Sequence, residues 1–374
     1  MNRRTATTSV LPNKRRPVHR RGPTIHDVAK RAGVSLGTVS NVVNARGNVR
    51  PERSRRVHDA ITALGYVPNG VAQSLRRQRS HVVGLVAPST YSAYFAALLD
   101  AFEQIGVDNG YEVMQVLSRH DPALEVRRVR ALLARKVDGL IVIPSGEPQP
   151  VFDVIATSRV PAIVVDRASS DARFDYVTLD DYRAMTDAAN ALLERGHRRL
   201  LYVLRYPSLV TTKRRIAAFE DAAANVRGAR AAILVHDAGD DGFDANLAAI
   251  MQRRDAPTAI IASNSAITLA LLRGLRACRI ACPRDVSLIS FDAPAWAEVT
   301  TPPLSVVQPP TDAIAQTAWR LLLARFRHPA RKRERVMLNA RLELRESVAT
   351  LGETATRNRD GYRETARARR SGRR

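Results

Sequence analysis

From His81 onward, short apolar runs rich in β-branched residues alternate with amphipathic stretches of helical period. The runs are apolar almost throughout, which is typical of strands buried on both faces of a parallel sheet. Strands separated by helices in this way build doubly wound α/β layers. The predicted strands are 82–88, 111–117, 139–144, 161–166, 176–180, 199–204, 231–236, 259–264 and 286–292. The predicted helices are 92–108, 122–135, 150–158, 181–195, 211–225, 242–253 and 265–278.

These units are too many for one ordinary sheet, so the pattern predicts two Rossmann-like lobes. Ligands of such sheets bind outside the carboxyl ends of the strands. The residues at the predicted strand ends include Pro88, Pro144, Asp166, Asp180, Asn264 and Asp292. The four Asp and Asn residues carry hydrogen-bonding side chains, which favours a cleft for a small polar molecule if the lobes face each other.

The composition excludes several classes of protein. The 374 residues exceed what one hydrophobic core usually serves, so we expect two or three domains. The two cysteines, Cys278 and Cys282, have no second pair or nearby histidine, which argues against a zinc site and a disulfide framework. No apolar run is long enough to span a membrane, and no apolar segment follows the basic N-terminus as in a signal peptide. We therefore expect a cytoplasmic, nucleoid-associated protein without membrane contacts.

The positive charge is concentrated at the two ends of the chain. Of the net charge of +23, residues 1–80 carry +14 and residues 353–374 carry +5, so the long middle part is nearly neutral. A basic module on a neutral body is typical of a protein that binds a polyanion such as nucleic acid. Phosphate-binding loops and nucleophile elbows are absent from the sequence, which argues against an enzyme and predicts no cofactor.

The stretch "TIHDVAKRAGVSLGTVSNVVN", residues 24–44, predicts two short helices around one glycine. Each helix has one apolar stripe at positions i, i+3 and i+4. Gly33 can adopt a positive φ at the corner, and Ser35 is a good N-cap for the second helix. A third helix from Pro51 closes the core with its own apolar stripe. This is the helix-turn-helix arrangement.

The outward face of the second helix has small and amide side chains and no carboxylate. Its residues are Leu36, Gly37, Ser40, Asn41 and Asn44. Such side chains can approach base edges, while a group of arginines around the start of the third helix is placed to meet phosphates. These arginines are Arg50, Arg53, Arg55 and Arg56. The alternative is a structural three-helix cap with a solvated basic face.

Together with "YVPNGVAQSL" at residues 66–75, the helix pair resembles the DNA-binding head of the lactose/galactose repressor family of bacterial transcription regulators. The segments "HDPALEVRRVRALLARKVDGLIVIP", "ALLERGHRRLLYV" and "PPLSVVQ" resemble that family's effector domain, so the resemblance covers about residues 24–346. It implies an α/β fold with an N-terminal helix-turn-helix head, a hinge helix and two Rossmann-like lobes of periplasmic-binding-protein type. A transport receptor would share the lobes but not the head.

The predicted domains follow from the charge, the periodicity and the resemblance. They are a disordered basic arm at 1–23, a helix-turn-helix domain at 24–67, a hinge at 68–80, an effector-binding and dimerisation domain at 81–348, and a disordered basic tail at 349–374. The first lobe is predicted at about 81–180 and 311–333, and the second at about 181–308 and 334–346.

The resemblance implies a homodimer, most simply a repressor, on a pseudo-palindromic double-stranded operator. The predicted DNA-binding residues are Thr24, Ser35, Leu36, Gly37, Thr38, Ser40, Asn41, Asn44, Arg53, Asn69, Ala72 and Leu75. The hinge would fold on DNA, where Leu75 would wedge into the central minor-groove step. Because Gly37 has no side chain, the operator should differ from those of relatives that have a long polar residue there. The tail has no leucine heptad, which favours a dimer over a tetramer.

The resemblance also implies a small-molecule effector between the lobes. The implied effector-binding residues are Tyr94, Phe95, Asp180, Arg215, Asn264, Asp292 and Trp296. For each aromatic residue the alternative is plain packing. Ser265 and Ala293 stand where carboxylates are common in the family, which opens the alternative of an acidic effector, a sugar acid or phosphate, paired with Arg215.

The hinge hypothesis predicts the effect of the substitution Leu75→Ala. Loss of the wedge should weaken binding to the specific operator and spare binding to unrelated duplexes, because only the operator is kinked. Mobility-shift titrations with an operator and an unrelated duplex measure both affinities. Equal losses on the two duplexes would contradict the wedge.

Overall fold

A computed structural model describes residues 22–44, 47, 49–67, 79–146, 148–236 and 242–351. The predictions for the arm up to residue 21, for Asn69, Ala72 and Leu75, and for the tail from residue 352 concern residues outside these ranges. The chain divides into two compact units, one ending at Ser80 and one beginning at His81. Within the described ranges, the helices are too short or too polar to cross a membrane.

The first unit contains three helices around a small apolar core. They are α1 (Ile25–Ala32), α2 (Leu36–Val43) and α3 (Pro51–Leu64). One valine from each helix, Val28, Val39 and Val57, is fully buried at the centre. Gly33 ends α1 with a φ of 61°, so the predicted glycine corner between the first two helices is confirmed.

The second unit begins with a six-stranded sheet that forms the first lobe. Its strands are β1 (Val82–Ala87), β2 (Glu112–Leu117), β3 (Gly139–Val142), β4 (Ala162–Asp166), β5 (Asp175–Leu179) and β11 (Arg335–Leu338). Their order is β11-β5-β4-β3-β1-β2, and all neighbours are parallel. The strand order reverses between β1 and β3, and such a reversal opens a crevice at the carboxyl ends of the strands.

Helices cover both faces of this sheet. They are α4 (Ala93–Asp108), α5 (Pro122–Ala134), α6 (Gln149–Ser158) and α11 (Thr311–Arg327). Phe102 of α4 and Trp319 of α11 are buried on one face, and Phe152 of α6 is buried on the other. The aliphatic strand residues between these layers are almost fully buried, as the continuous apolar runs predict.

The second lobe repeats this plan. Its strands are β6 (Arg199–Leu204), β7 (Arg230–Val235), β8 (Ala259–Ala262), β9 (Ser287–Phe291), β10 (Ser305–Gln308) and β12 (Arg341–Glu343), in the order β12-β10-β9-β8-β6-β7. Its helices are α7 (Asp181–Glu194), α8 (Val210–Ala224), α9 (Phe243–Met251) and α10 (Ser265–Ala277), with a short 3-10 helix at Ala295–Ala297. Strand β12 pairs antiparallel with β10, and the remaining pairs are parallel.

The chain crosses between the lobes three times, after β5, after β10 and after β11. The third crossing corrects one prediction. Residues 334–346 were expected in the second lobe, but Arg335–Leu338 pairs with β5 of the first sheet, and only Arg341–Glu343 joins the second. These strands are short and lie at sheet edges, so they lack the long apolar runs that mark the central strands.

A buried ion pair fixes the end of α11 to the first strand residue of β5. The Arg325 guanidinium holds Asp175 with Nη2 at 3.0 and 2.8 Å from the two carboxylate oxygens and Nε at 3.1 Å. The backbone N–H of Glu334 donates to the same carboxylate at 2.7 Å. Both charged side chains are almost fully buried. The pair therefore positions the segment that leads into β11.

This pair predicts a large stability loss for the substitution Arg325→Leu. Removing one partner of a buried ion pair typically costs roughly 3–5 kcal/mol, because the other charge stays buried and uncompensated. Urea denaturation measures the free energy of unfolding. The matched control is Arg320→Leu on the same helix, since Arg320 makes a 3.7 Å surface pair with Glu334 that should contribute less than about 1 kcal/mol. Losses of similar size in the two variants would contradict the role of Arg325.

Candidate functional site

The head presents the first half of α2 on its surface. Ser35 caps the helix by accepting the Thr38 backbone N–H at 3.2 Å, and Thr24 forms a capping box with Asp27 at the start of α1. Leu36, Gly37 and Asn41 are exposed. Capping hydrogen bonds thus fix the N-termini of both short helices, and one face of α2 is exposed.

Two of the predicted DNA-contact residues, Ser40 and Asn44, form a hydrogen bond with each other at the C-terminal end of α2. The Asn44 side-chain amide donates to the Ser40 carbonyl oxygen at 2.6 Å, and both residues are half-buried. Sequence periodicity predicts both residues on the outward face. It does not predict that the Asn44 side chain turns back to cap the C-terminus of the helix. The four arginines of the predicted phosphate-binding group are exposed at the start of α3. The direct DNA contacts of all these residues stay a prediction.

The body contains a cavity of about 800 Å³ at the carboxyl ends of the strands of both lobes. Its wall is formed by the segments that follow β1, β2 and β4 in the first lobe and β6, β7, β8 and β9 in the second. The wall includes five of the predicted effector-binding residues, Tyr94, Phe95, Arg215, Asn264 and Asp292. The strand-end rule therefore brings together residues that are far apart in sequence.

Two predicted residues lie elsewhere. Asp180 is the N-cap of α7, where it accepts the Arg183 backbone N–H at 3.1 Å, so its carboxylate serves the helix end. Trp296 lies in the 3-10 helix and packs against the apolar core of the second lobe. Both residues lie outside the described cavity wall, and their contact with an effector stays a prediction. A capping acid and a packed aromatic give the same sequence signal as ligand-binding residues.

The acid that sequence reasoning missed is the next residue, Asp181. Its Oδ1 accepts the Arg215 Nε–H at 2.7 Å, and Arg215 also donates to the Ser263 carbonyl oxygen at 3.2 Å. The guanidinium lies 4.0 Å over the Phe291 ring. Burial raises the pKa of Asp181 to about 6, and Arg215 opposes that rise. The charge of Arg215 is thus balanced within the protein.

A chain of hydrogen bonds joins the lobes beside this pair. Asp292 Oδ2 accepts the Ser265 backbone N–H at 3.1 Å and its hydroxyl at 3.3 Å. The Ser265 hydroxyl oxygen accepts the Ala93 backbone N–H at 2.9 Å from the first lobe. Burial raises the pKa of Asp292 to about 7, although the Ser265 hydrogen bonds lower it. The serine that replaces an expected acid therefore connects the two lobes.

A second link between the lobes is aromatic. The His120 ring, after β2, stacks on the Tyr206 ring, after β6, with centroids 4.2 Å apart. Arg205 lies 4.7 Å over the same Tyr206 ring. Burial, together with the charges of Arg167 and Arg205, lowers the pKa of His120 to about 4. Sequence reasoning missed all four residues, although each lies within three residues of a predicted strand end.

The capped helix pair and the two-lobed body with its cleft define an α/β protein with a helix-turn-helix head. Residues 24–69 match the family model described as bacterial regulatory proteins, lacI family, and residues 189–348 match a periplasmic binding protein-like domain. The transcriptional repressor PurR of Shigella dysenteriae is 31% identical over 332 residues, covering 87% of this chain and 97% of PurR. The chain belongs to the LacI family of transcriptional regulators, as the resemblance indicated.

Solved structures agree with this assignment. The Lac repressor dimer bound to operator and the anti-inducer ONPF has a TM-score of 0.77 at 23% identity, covering 88% of this chain and all of that one, which shows the fold. A LacI family regulator from Enterococcus faecalis V583 with bound ribose has a TM-score of 0.65 at 26% identity, covering 72% of this chain and 100% of that chain. The predicted fold class is confirmed, and the family consists of regulators rather than enzymes.

The Asp181–Arg215 pair predicts a pH-dependent stability loss for Arg215→Ala. Without the cation, the pKa of Asp181 rises further above about 6, while its unfolded value stays near about 3.9. A carboxyl group whose pKa is raised by folding stabilises the folded state at low pH. That stabilisation is lost as the pH rises through the raised pKa. The loss in the free energy of unfolding caused by Arg215→Ala should therefore approach roughly 3–5 kcal/mol at about pH 8 and be smaller at about pH 5.

Urea denaturation at the two pH values measures this difference. The control Lys213→Ala, an exposed residue on the same helix, should change the free energy of unfolding little at either pH. A loss for Arg215→Ala that does not vary with pH would show that Asp181 is not the titrating partner.

Proposed function

We propose that this regulator is a homodimer that represses transcription from a pseudo-palindromic operator, in association with the nucleoid. A small molecule of the sugar or sugar-acid class binds the cavity between the lobes and changes the population of the DNA-binding state. The observation that carries the proposal is the combination, in one chain, of an open, capped α2 face and a polar cavity whose walls come from both lobes.

The surface of the head supports sequence-specific DNA binding. Asn41 can donate to and accept from an adenine edge in the major groove, and Leu36 can contact a thymine methyl group. The exposed arginines of α3 would bind phosphates, which positions the head but carries no sequence information. The repressor PurR among the relatives supports repression as the outcome.

Exposed apolar side chains support a homodimer. Strands β2 and β7 each form one of the two edges of their sheet, and they occupy equivalent places in the two lobes. Met114 on β2 and Ile233 and Val235 on β7 are each more than one-third exposed. Such unpaired, partly apolar edges are usually covered by another element or subunit. A second copy of the chain would cover them and place two heads on one operator.

The links across the cavity support control by a ligand. The Ala93–Ser265 hydrogen bond and the His120–Tyr206 stack connect groups of different lobes at the cavity wall. A molecule that binds there and changes these links would favour one arrangement of the lobes. Differential binding of two arrangements is the physical requirement for a ligand to shift the population. Ribose bound to the Enterococcus faecalis regulator supports the sugar class.

Selection of tight-binding duplexes from a random pool tests the proposal. The full-length chain should enrich a two-fold symmetric sequence. Asn41→Ala should lower affinity for the selected duplex by roughly 1–3 kcal/mol and relax the preference at one symmetric pair of bases. Arg53→Gln is the contrasting variant: it should weaken binding to selected and unrelated duplexes alike and reduce the salt dependence. Lack of enrichment, or uniform weakening by Asn41→Ala, would contradict the proposal.

A further inference from the structure

We infer that the ligand of the cavity carries an anionic group, a carboxylate or a phosphate, which Arg167 and Arg205 hold between the lobes. This inference rests on the proposed ligand-binding role of the cavity and names the chemistry of its ligand. It differs from the sequence expectation that Arg215 would meet an acidic effector, because Asp181 already balances Arg215 at 2.7 Å.

Arg167 is a buried cation with an unused donor. It follows the end of β4, is 4% exposed and forms part of the cavity wall. Its Nη1 donates to the Pro144 carbonyl oxygen, but its Nε–H has no acceptor. The nearest carboxylate is Asp166, whose Oδ2 is 3.7 Å from Nε, beyond hydrogen-bonding distance. A buried donor without an acceptor is costly unless a ligand supplies one.

The carboxylate of Asp166 is partly committed to another group. The Tyr94 hydroxyl donates to its other oxygen at 2.8 Å. Asp166, held in place by Tyr94, forms an ion pair with Arg167 without a hydrogen bond, and the buried Glu125 carboxylate also acts on the charge of Arg167. A ligand oxygen that reached the Arg167 Nε–H would form the hydrogen bond that Asp166 does not form.

Further cations of the wall lie around the same point. Arg205 approaches from the second lobe and lies over the Tyr206 ring, against which His120 of the first lobe stacks. Arg167, Arg205 and His120 line the same wall, and the charges of both arginines lower the pKa of His120. Arg119, next to His120, adds an exposed cation to the wall. This cluster contains groups from both lobes.

The described wall contains four arginines and two aspartates. Asp181, behind the wall, balances Arg215, so the positive charge of the wall comes from Arg119, Arg167 and Arg205. Of the two acids, Asp166 faces Arg167, and Asp292 is held by Ser265 beyond the cluster. The planar arginine fork matches the paired oxygens of a carboxylate or phosphate, and hydrogen bonds between these charged groups are stronger than those to a neutral hydroxyl. The wall therefore favours an anion at the arginine cluster and hydroxyl groups near Asn264 and Asp292.

Calorimetric titration of the full-length chain without DNA tests the inference. The probes are two matched pairs, ribose with its phosphate monoester and glucose with glucuronate. The anionic member of one pair should bind at least about tenfold more tightly than its neutral partner, since a hydrogen bond to a charged group contributes about that factor. A preference within the ribose pair identifies a phosphate, and one within the glucose pair identifies a carboxylate.

Three variants locate the anion. Arg205→Gln, and Arg167→Gln if it folds, should remove the preference, while Arg205→Lys should keep part of it. Arg128→Gln removes the same charge from an exposed site on α5 outside the cavity wall and should keep the full preference. The basic head has the same sequence in all these variants. Any binding of the anionic probes to the head is therefore the same in each variant and does not affect the differences between them.

Two results would overturn the inference: neutral and anionic members bind equally in both pairs, or the preference survives Arg205→Gln. Because these titrations contain no DNA, either result leaves the operator selection to decide the proposed function separately. Failure of that selection, in turn, would leave the measured anion preference intact.

Discussion

Three short crossings between the lobes determine the form of the body. They leave from the carboxyl ends of β5, β10 and β11 and each spans only a few residues. Because the connections are so short, the carboxyl edges of the two sheets must face each other. The cavity is a direct consequence, since ligands of doubly wound sheets bind at that edge. The alternating pattern of the sequence thus builds a site whose walls belong to two separate sheets.

Several polar and aromatic side chains at the facing edges connect one lobe to the other. Asp292, Ser265 and Ala93 form one hydrogen-bonded link between the lobes, and His120 with Tyr206 forms a stacked one. The Asp181–Arg215 pair stands behind them at the first crossing. A ligand in the cavity would touch both lobes at once, so its binding energy would depend on their arrangement. That dependence is what regulation of the head requires.

The sequence predicted most of this fold because the central strands are continuous apolar runs that end in polar residues. It did not predict β10 to β12 from periodicity. Strands β11 and β12 are short edge strands with exposed arginines, whereas β10 lies inside its sheet but has only three buried residues. At the site, it selected Asp180 rather than Asp181, because a helix cap and a buried ion-pair acid are adjacent and chemically identical. The cations Arg119, Arg167 and Arg205 also follow strand ends, but a charged residue after a strand is usually solvated. Only the structure, which brings the three side chains to one cavity wall, distinguishes them from solvated surface residues.

The central claim is that occupancy of the cavity and DNA binding by the head are coupled. Coupling of binding sites is reciprocal: a ligand that changes operator affinity by some factor must have its own affinity changed by operator DNA by the same factor. The most direct measurement is the dissociation constant of a cavity ligand for the free chain and for the chain saturated with operator. The account predicts that the two constants differ by about fivefold or more and that the factor equals the ligand's effect on operator affinity. Equal constants, with both sites occupied, would contradict it.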